Sequence, residues 1–346
     1  MWPRGLLLAV GAVVLLGCTA APAGIDLGGW QAPAGREHAL AGRIWDTKAG
    51  RFVTSDELVE ALARARYILL GERHDNPDHH RMQAALVRAL LAAGRRPAVA
   101  FEMFTSEDAA AIARHLAVAP RDAAGLAAAV DWPRSGWPDW TYYEPIAQAA
   151  LDAGLPIVAA NLAPTTVRAL ARGNRSALPE GLAARYALDQ PLPGAGQAAL
   201  ANELYDAHCG HIPRERMDGM VLAQRAGDAA MADSMLAAGD GAVLIAGSGH
   251  VRTDRGVPIY LRARADSASI AALAPLEVRE GWTRPEDYAA AFGGTLPFDW
   301  VWFTPGMSDG DPCARLRPPG RRASSPCRHG SWRSRRRQWT GCRRRR

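Results

Sequence analysis

A chain of 346 residues with an apolar fraction of 48% can form one large α/β domain or a domain carrying a sizeable insertion. Its net charge of +6 comes from one end: residues 318–346 hold 11 Arg and no acid, leaving 30 Lys and Arg against 35 Asp and Glu in residues 1–317. A body with a net charge of −5 lacks the basic footprint of a nucleic-acid binder, and no stretch after the first twenty residues is long and apolar enough to span a membrane.

The chain opens with a processing signal. Arg4 supplies a positive n-region, residues 6–16 form an apolar core too short for a mature transmembrane helix, and Leu15-Leu16-Gly17-Cys18 resembles the lipobox of bacterial lipoproteins. In that arrangement Cys18 is lipidated and becomes the mature N-terminus. The expected organisation is a signal over residues 1–18, a flexible Ala/Gly/Pro-rich tether over 19–36, a folded domain over 37–317 and a disordered Arg-rich tail over 318–346.

Residues 43–52 read as a short hairpin turning at 46–50, followed by a helix over 56–65 capped by Thr54 or Ser55. Residues 67–70 are continuously apolar, as in a parallel strand covered on both faces, and Gly71 is expected to end it. Asn76 then caps a helix that starts at Pro77, carries Met82, Leu86 and Leu90 on one stripe, and holds His79, His80 and Gln83 near its start. A second strand over 97–101 ends at Glu102. Helices over 106–118 and 122–130, an aromatic loop from Trp132 to Trp140, and a helix over 145–153 lead to a third strand, 155–160, ending at Asn161.

A fourth strand, 242–246, ends in Gly247-Ser248-Gly249-His250. Between the third and fourth lie helices over 164–172, 195–208 and 215–238, expected to form a lid-like subdomain over about 162–240. Residues 259–262 are read as a further strand, and 285–303 as packing back. The expected fold is α/β: a mainly parallel sheet flanked by helices, with a smaller helical subdomain inserted between the third and fourth core strands.

Chemistry gathers in two places. Glu72 with His74, Glu102, Asn161 and His250 follow the four core strands, on the side where open α/β sheets bind ligands. Gly71-Glu72-Arg73-His74 and Gly247-Ser248-Gly249-His250 repeat one Gly-x-x-His spacing. One such histidine would merely hydrogen-bond a strand-end carbonyl; the pair with Glu72 and Glu102 reads as a site. Glu72, His74, Glu102 and His250 suit either a divalent metal ion or a Glu/His acid–base hydrolase, although the helical His-x-x-x-His of a fixed zinc site is missing.

The second place is Tyr205-Asp206-Ala207-His208-Cys209-Gly210-His211. Phenolate, imidazole and thiolate ligate haem iron, and histidine also hydrogen-bonds a propionate. An ordinary helix end, with Gly210 as the stop, accounts for the same residues. Met217, Met220, Met231 and Met235 read as core, whereas Asp218, Gln224, Arg225 and Asp228 form a polar side that could face the sheet edge. A Cys209–Cys313 bridge would be a single staple rather than a disulfide framework.

The segments Leu69-Leu70-Gly71-Glu72-Arg73-His74-Asp75-Asn76 with His79-His80 and Gln83, Phe101-Glu102-Met103-Phe104, Ser135-Gly136-Trp137-Pro138 with Tyr143-Pro145, Ala160-Asn161, Ala207-His208-Cys209-Gly210 and Gly247-Ser248-Gly249-His250-Val251-Arg252 resemble the ChaN family of haem-binding lipoproteins. The resemblance extends over residues 43–317 and implies haem binding in iron uptake at the bacterial surface, with Tyr205, His208 and His211 as ligand or propionate candidates and a homodimer around haem. It also implies a lipid-anchored envelope protein. Thr19 lacks the aspartate that retains many lipoproteins at the inner membrane, which favours the outer one. The wider group, with erythromycin esterases and TraB/Tiki proteins, shares the paired Gly-x-x-His and strand-end Glu, and so keeps the hydrolase alternative open. One departure is Gly227, where the family usually has arginine before the aspartate matched by Asp228.

Overall fold

The computed structural model describes residues 24–265, 268–308 and 313, so Cys18 with the signal and the Arg-rich tail lie outside the described residues. The chain divides into two units, Met1–Asp309 and Gly310–Arg346. All that follows concerns the first unit. No helix among the described residues is long and apolar enough to cross a membrane.

Eight strands, β1 (Ile44–Asp46), β2 (Arg51–Val53), β3 (Tyr67–Glu72), β4 (Ala98–Thr105), β5 (Ile157–Asn161), β6 (Ala242–Gly247), β7 (Ile270–Glu277) and β8 (Trp300–Thr304), form one sheet in the order β2-β1-β8-β7-β3-β6-β4-β5. From β8 to β5 all neighbours are parallel, and the β1–β2 hairpin closes one edge antiparallel to β8. This is the expected α/β architecture.

The central strands bury both faces. Tyr67 and Leu69 of β3 join Ala100, Leu244 and the long helix Met217–Ala237 on one face. Ile68 and Leu70 join Val99, Phe101, Val243 and helices Pro77–Ala92 and Trp140–Asp152 on the other. Two covered faces explain why these strands are continuously apolar instead of alternating. Each fully buried Leu, Ile or Phe contributes roughly 1.5–3 kcal/mol of transfer free energy.

Local chemistry sets the elements that lead into the site. Thr54 and Glu57 form a reciprocal capping box on helix Ser55–Ala63. Asn76 caps Pro77–Ala92, its side chain accepting from the Asp78 amide at 3.1 Å, with Pro77 in the first turn where no amide proton is needed. β3 and β6 pair in the register Gly71↔Ala246 and Glu72↔Gly247, which sets the two Gly-x-x-His turns side by side.

Several expectations change. β3 runs through Gly71 to Glu72 instead of ending at the glycine. A Cβ on Gly71 would lie 2.9 Å from both Ser248 Oγ and Val251 Cγ2, so the glycine permits close approach of the neighbouring turn. Residues 259–262 are not a strand but lie in helix Val257–Arg262, which has Pro258 in its first turn. β7, flanking β3, went unread because Ile270-Ala271-Ala272-Leu273-Ala274-Pro275 offers little β-branched signal and contains proline. The helix before β5 begins at Trp140, capped by Asp139, and absorbs Pro145. Residues from 24 on, within the segment read as tether, pack on the domain: Asp78 accepts from the Gln31 amide at 3.0 Å and the Ala32 amide at 2.8 Å, and Ala34 bridges to Gly306.

The stretch between β5 and β6 holds helices Pro164–Ala171, Leu182–Tyr186, Gly196–Ala207 and Met217–Ala237. The last lies directly on β4, β5 and β6.

Candidate functional site

The strand ends bring Glu72, His74, Glu102 and His250 together, as their positions in sequence implied. Glu72 Oε1 accepts from His74 Nδ1 at 2.7 Å and from the Tyr143 hydroxyl at 2.9 Å, and Glu72 Oε2 lies 3.2 Å from His80 Nδ1. His80 Nε2 donates to the His74 carbonyl at 3.0 Å. Glu102 Oε2 accepts from the Gly247 amide at 2.7 Å, while Glu102 Oε1 stands 3.2 Å from His250 Nε2. His250 Nδ1 donates to Asp228 Oδ1 at 2.6 Å. A Cβ on Gly247 would sit 3.0 Å from His74 Nε2, so that glycine makes room for the first imidazole beside the second turn.

Burial and pairing pull the titrations in opposite directions. Burial alone would raise Glu72, but His80 and then His74 hold its carboxyl well below the usual range. Glu102 is likewise lowered, with His250 overcoming desolvation. Burial opposes charge on His74 and His250, yet both are raised, His74 by Glu72 and Glu102, His250 by Glu102 and Asp228. Burial pushes Asp228 up to about 6 despite His250. Burial, reinforced by Glu72, raises the Tyr143 phenol, which stays a neutral donor.

This is a set of charge pairs closed on themselves. The Glu72 side chain is fully buried, His250 is 14% exposed, and His74 at 36% is the most open of the four. The expectation that Glu72, His74, Glu102 and His250 ligate one ion does not match this geometry. Each imidazole already faces carboxylates, and among the described residues no group of three or more His, Cys, Asp or Glu is placed to hold a metal ion. Acid–base chemistry needs no such grouping, and His74 is the member that solvent reaches.

Other residues take different parts. His79 is structural: its Nδ1 accepts from the Arg73 amide at 2.8 Å, its Nε2 meets Thr304 Oγ1 at 2.9 Å, and burial lowers it to about 3. Asn161 accepts from its neighbour Leu162 N at 2.8 Å and touches no imidazole at the site; a Cβ on Gly227 would stand 3.4 Å from its Oδ1. Of the polar side read on the long helix, Asp228 and Gln224 reach His250, the latter at 3.1 Å, while buried Arg225 turns to the Tyr260 hydroxyl and the Gln190 carbonyl. Asp218 is exposed. Sequence reasoning missed the Tyr143 and His80 contacts with Glu72. The signal was there, since His80 lies one turn into the helix capped by Asn76 and Tyr143 precedes Pro145 in a segment otherwise hard to explain.

The second cluster is built differently. Helix Gly196–Ala207 ends with His208 at its C-cap, and Cys209 (φ 54°) with Gly210 (φ 69°) turns the chain through the left-handed region. Tyr205 is half-buried, with its ring under the Arg214 guanidinium at 4.0 Å and its hydroxyl 3.0 Å from where a Cβ on Gly210 would stand. His208 Nδ1 donates to the Leu204 carbonyl at 2.6 Å. His211 is exposed and lines a cavity with Arg168, Arg172 and Arg216. Cys209 is disulfide-bonded, which removes the thiolate from the donors expected here. Tyr205, His208 and His211 thus share one turn about a helix end and make no hydrogen bond, ion pair or ring contact with the four strand-end residues.

The fold is shared with solved structures. It matches the structure of ChaN of Campylobacter jejuni described by cofacial heme binding, at 22% identity and a TM-score of 0.58, over 75% of this chain and 95% of that one. It also matches an erythromycin esterase, EreC, in its open conformation (14% identity, TM-score 0.42, 74% and 95% covered) and the type III effector HopBA1 (16%, 0.37, 72% and 93%). No curated protein matches. A family model described as haem-binding uptake, Tiki superfamily, ChaN matches residues 58–261, from the helix before β3 through the second Gly-x-x-His turn, and the chain belongs to that family.

Proposed function

We propose that this chain is a lipid-anchored protein of the bacterial envelope that binds haem for iron uptake, at the turn formed by residues 205–214. The observation that carries the placement is the hydrogen bond from His208 Nδ1 to the Leu204 carbonyl at 2.6 Å. A carbonyl only accepts, so Nδ1 bears a proton, and in the neutral ring Nε2 then keeps its lone pair, the tautomer a metal requires. Tyr205, with no hydrogen-bond partner for its hydroxyl among the described residues, is the second donor at the same turn. Tyr205 and His208 would hold the haem iron, and hydrogen-bond donors nearby would hold its propionates.

The disulfide at Cys209 supports an oxidising compartment, and the lipobox at Cys18 supports anchorage. A homodimer closed around haem is part of the same reading. Titrating haemin into the full chain tests the placement. A saturable Soret shift that weakens in Tyr205→Phe and in His208→Ala is expected; equal saturation in both variants would remove the turn from the account. Lipid attachment is checked by labelling with radioactive palmitate, which Cys18→Ser should abolish.

A second reading, a Glu/His hydrolase at the strand ends, is favoured by one observation: His74 is solvent-reachable while bonded to a buried carboxylate at 2.7 Å. In it His74, backed by Glu72, exchanges the proton with water or the leaving group, and His250, held between Glu102 and Asp228, stays protonated and stabilises negative charge. Hydrolysis of ester substrates that disappears in His74→Ala would support it.

A further inference from the structure

Arg168, Arg172, Arg216 and His211 line a cavity of about 350 Å³ together with Ile212, Pro213 and Met220. Gly219 creates the place. A Cβ on Gly219 would stand 2.5 Å from the Ala171 carbonyl oxygen, so only glycine lets the first turn of Met217–Ala237 run against the end of Pro164–Ala171. Arg168 lies in the last turn of the shorter helix and Arg172 caps it, where cations offset the partial negative charge of the carbonyls. That accounts for two of the three. Arg216 comes from the other element, at the cap of the long helix, and brings a third positive charge to the same opening.

Other buried or half-buried arginines of the fold are engaged. Arg225 bonds to the Gln190 carbonyl, Arg252 to Asp254, Arg255 to Glu203, and Arg73 to Asp75 and Glu277. Among the described residues the Arg168, Arg172 and Arg216 guanidiniums have neither an ion-pair nor a hydrogen-bond partner. Three guanidiniums without partners and three apolar side chains line one opening, an arrangement that suits an anion with an apolar body. Each offers a planar fork matched to a carboxylate.

We propose that this cavity clamps the two propionates of haem, with Ile212, Pro213 and Met220 against one edge of the porphyrin; this rests on the haem reading above. The volume lies at the low end of small-ligand pockets, which run ~300–1,000 Å³, so the cavity takes an edge of the porphyrin and leaves the iron outside it. His211, on the cavity wall, donates to a propionate instead of ligating iron. Tyr205 and His208 remain the donors for the metal.

The test uses the full chain and three probes: haemin, haemin dimethyl ester, which has no free carboxylates, and iron-free protoporphyrin IX. The triple variant Arg168→Gln, Arg172→Gln, Arg216→Gln is compared with wild type and with Arg175→Gln, which removes a charge outside the cavity; unchanged melting temperatures establish folding. The clamp predicts that the triple variant weakens haemin and protoporphyrin at least about tenfold. It further predicts that Arg175→Gln changes neither, and that the ester binds wild type and triple variant equally weakly. If the triple variant binds haemin as wild type does, or the ester binds wild type as tightly as haemin, the clamp is wrong and the haem reading survives. If wild type shows no saturable Soret shift with haemin, both fall.

Discussion

The strand-end crevice and the turn of residues 205–214 both collect histidine beside oxygen donors, yet they are built on opposite principles. In the crevice each charge faces an opposite one: Glu72 bonds His74 and lies 3.2 Å from His80, and His250 bonds Asp228 and lies 3.2 Å from Glu102, all mostly buried. At the turn, Tyr205, His208 and His211 are at least partly exposed, and among the described residues Arg168, Arg172 and Arg216 of the cavity that His211 lines have no partner. A closed set fixes structure and holds protons in place; an open set has capacity left for a ligand. The contrast predicts that substitutions in the crevice are felt in stability, and those at the turn in binding.

The largest effect is expected from Glu72→Ala. It leaves His74, His80 and the Tyr143 hydroxyl facing an empty buried position, a loss of about 3–5 kcal/mol. Denaturant unfolding reads it, and haemin affinity of the remaining folded protein should not change. A loss below 1 kcal/mol would mean that the crevice is not the closed set described. Next comes Gly219→Ala, which forces a Cβ against the Ala171 carbonyl and should cost about 1–3 kcal/mol while also weakening porphyrin binding, because it separates the helices that frame the arginine cavity.

The pH dependence sharpens the same contrast. Glu72 and Glu102 are lowered, so their contribution is present above the ordinary value of 4.5 and is lost as pH falls through their lower folded values. His74 and His250 are raised, so theirs is complete below the ordinary 6.5 and is lost as pH rises through their folded values. Asp228, raised to about 6, adds a loss as pH rises from 3.8 toward that value. Stability should therefore decline towards acid, and Glu72→Gln should flatten that limb in melting curves taken across pH. A variant with the acid limb of wild type would locate the titration elsewhere. Asp228→Asn should lower the His250 titration seen by NMR. His208→Ala, at the other end of the scale, should move stability by no more than about 0.5 kcal/mol.

Much of the frame was legible because its signals are local. Continuous apolar runs gave β3 and β6, Asn76-Pro77 gave the helix start, and two copies of Gly-x-x-His gave the paired turns. What escaped depends on partners distant in sequence. Gly71 reads as a strand stop until Ser248 and Val251 are seen against it, and β7 is recognisable only by its place between β3 and β8. The candidate site followed the same rule: its four main residues lie at strand ends and could be named, whereas Tyr143 reaches Glu72 across 71 positions of sequence. The arginine cavity needed two helix ends brought together by Gly219. No periodicity announces such a crossing.

The central claim is that haem binds at the turn and not in the crevice, and one haemin titration followed at the Soret band tests it on three proteins: wild type, Tyr205→Phe/His208→Ala, and His74→Ala/His250→Ala. The account predicts stoichiometric saturation in wild type, loss of the shift in the turn variant, and a wild-type Soret maximum and stoichiometry in the folded crevice variant. Loss of the shift in the crevice variant, with the turn variant binding as wild type does, would contradict it.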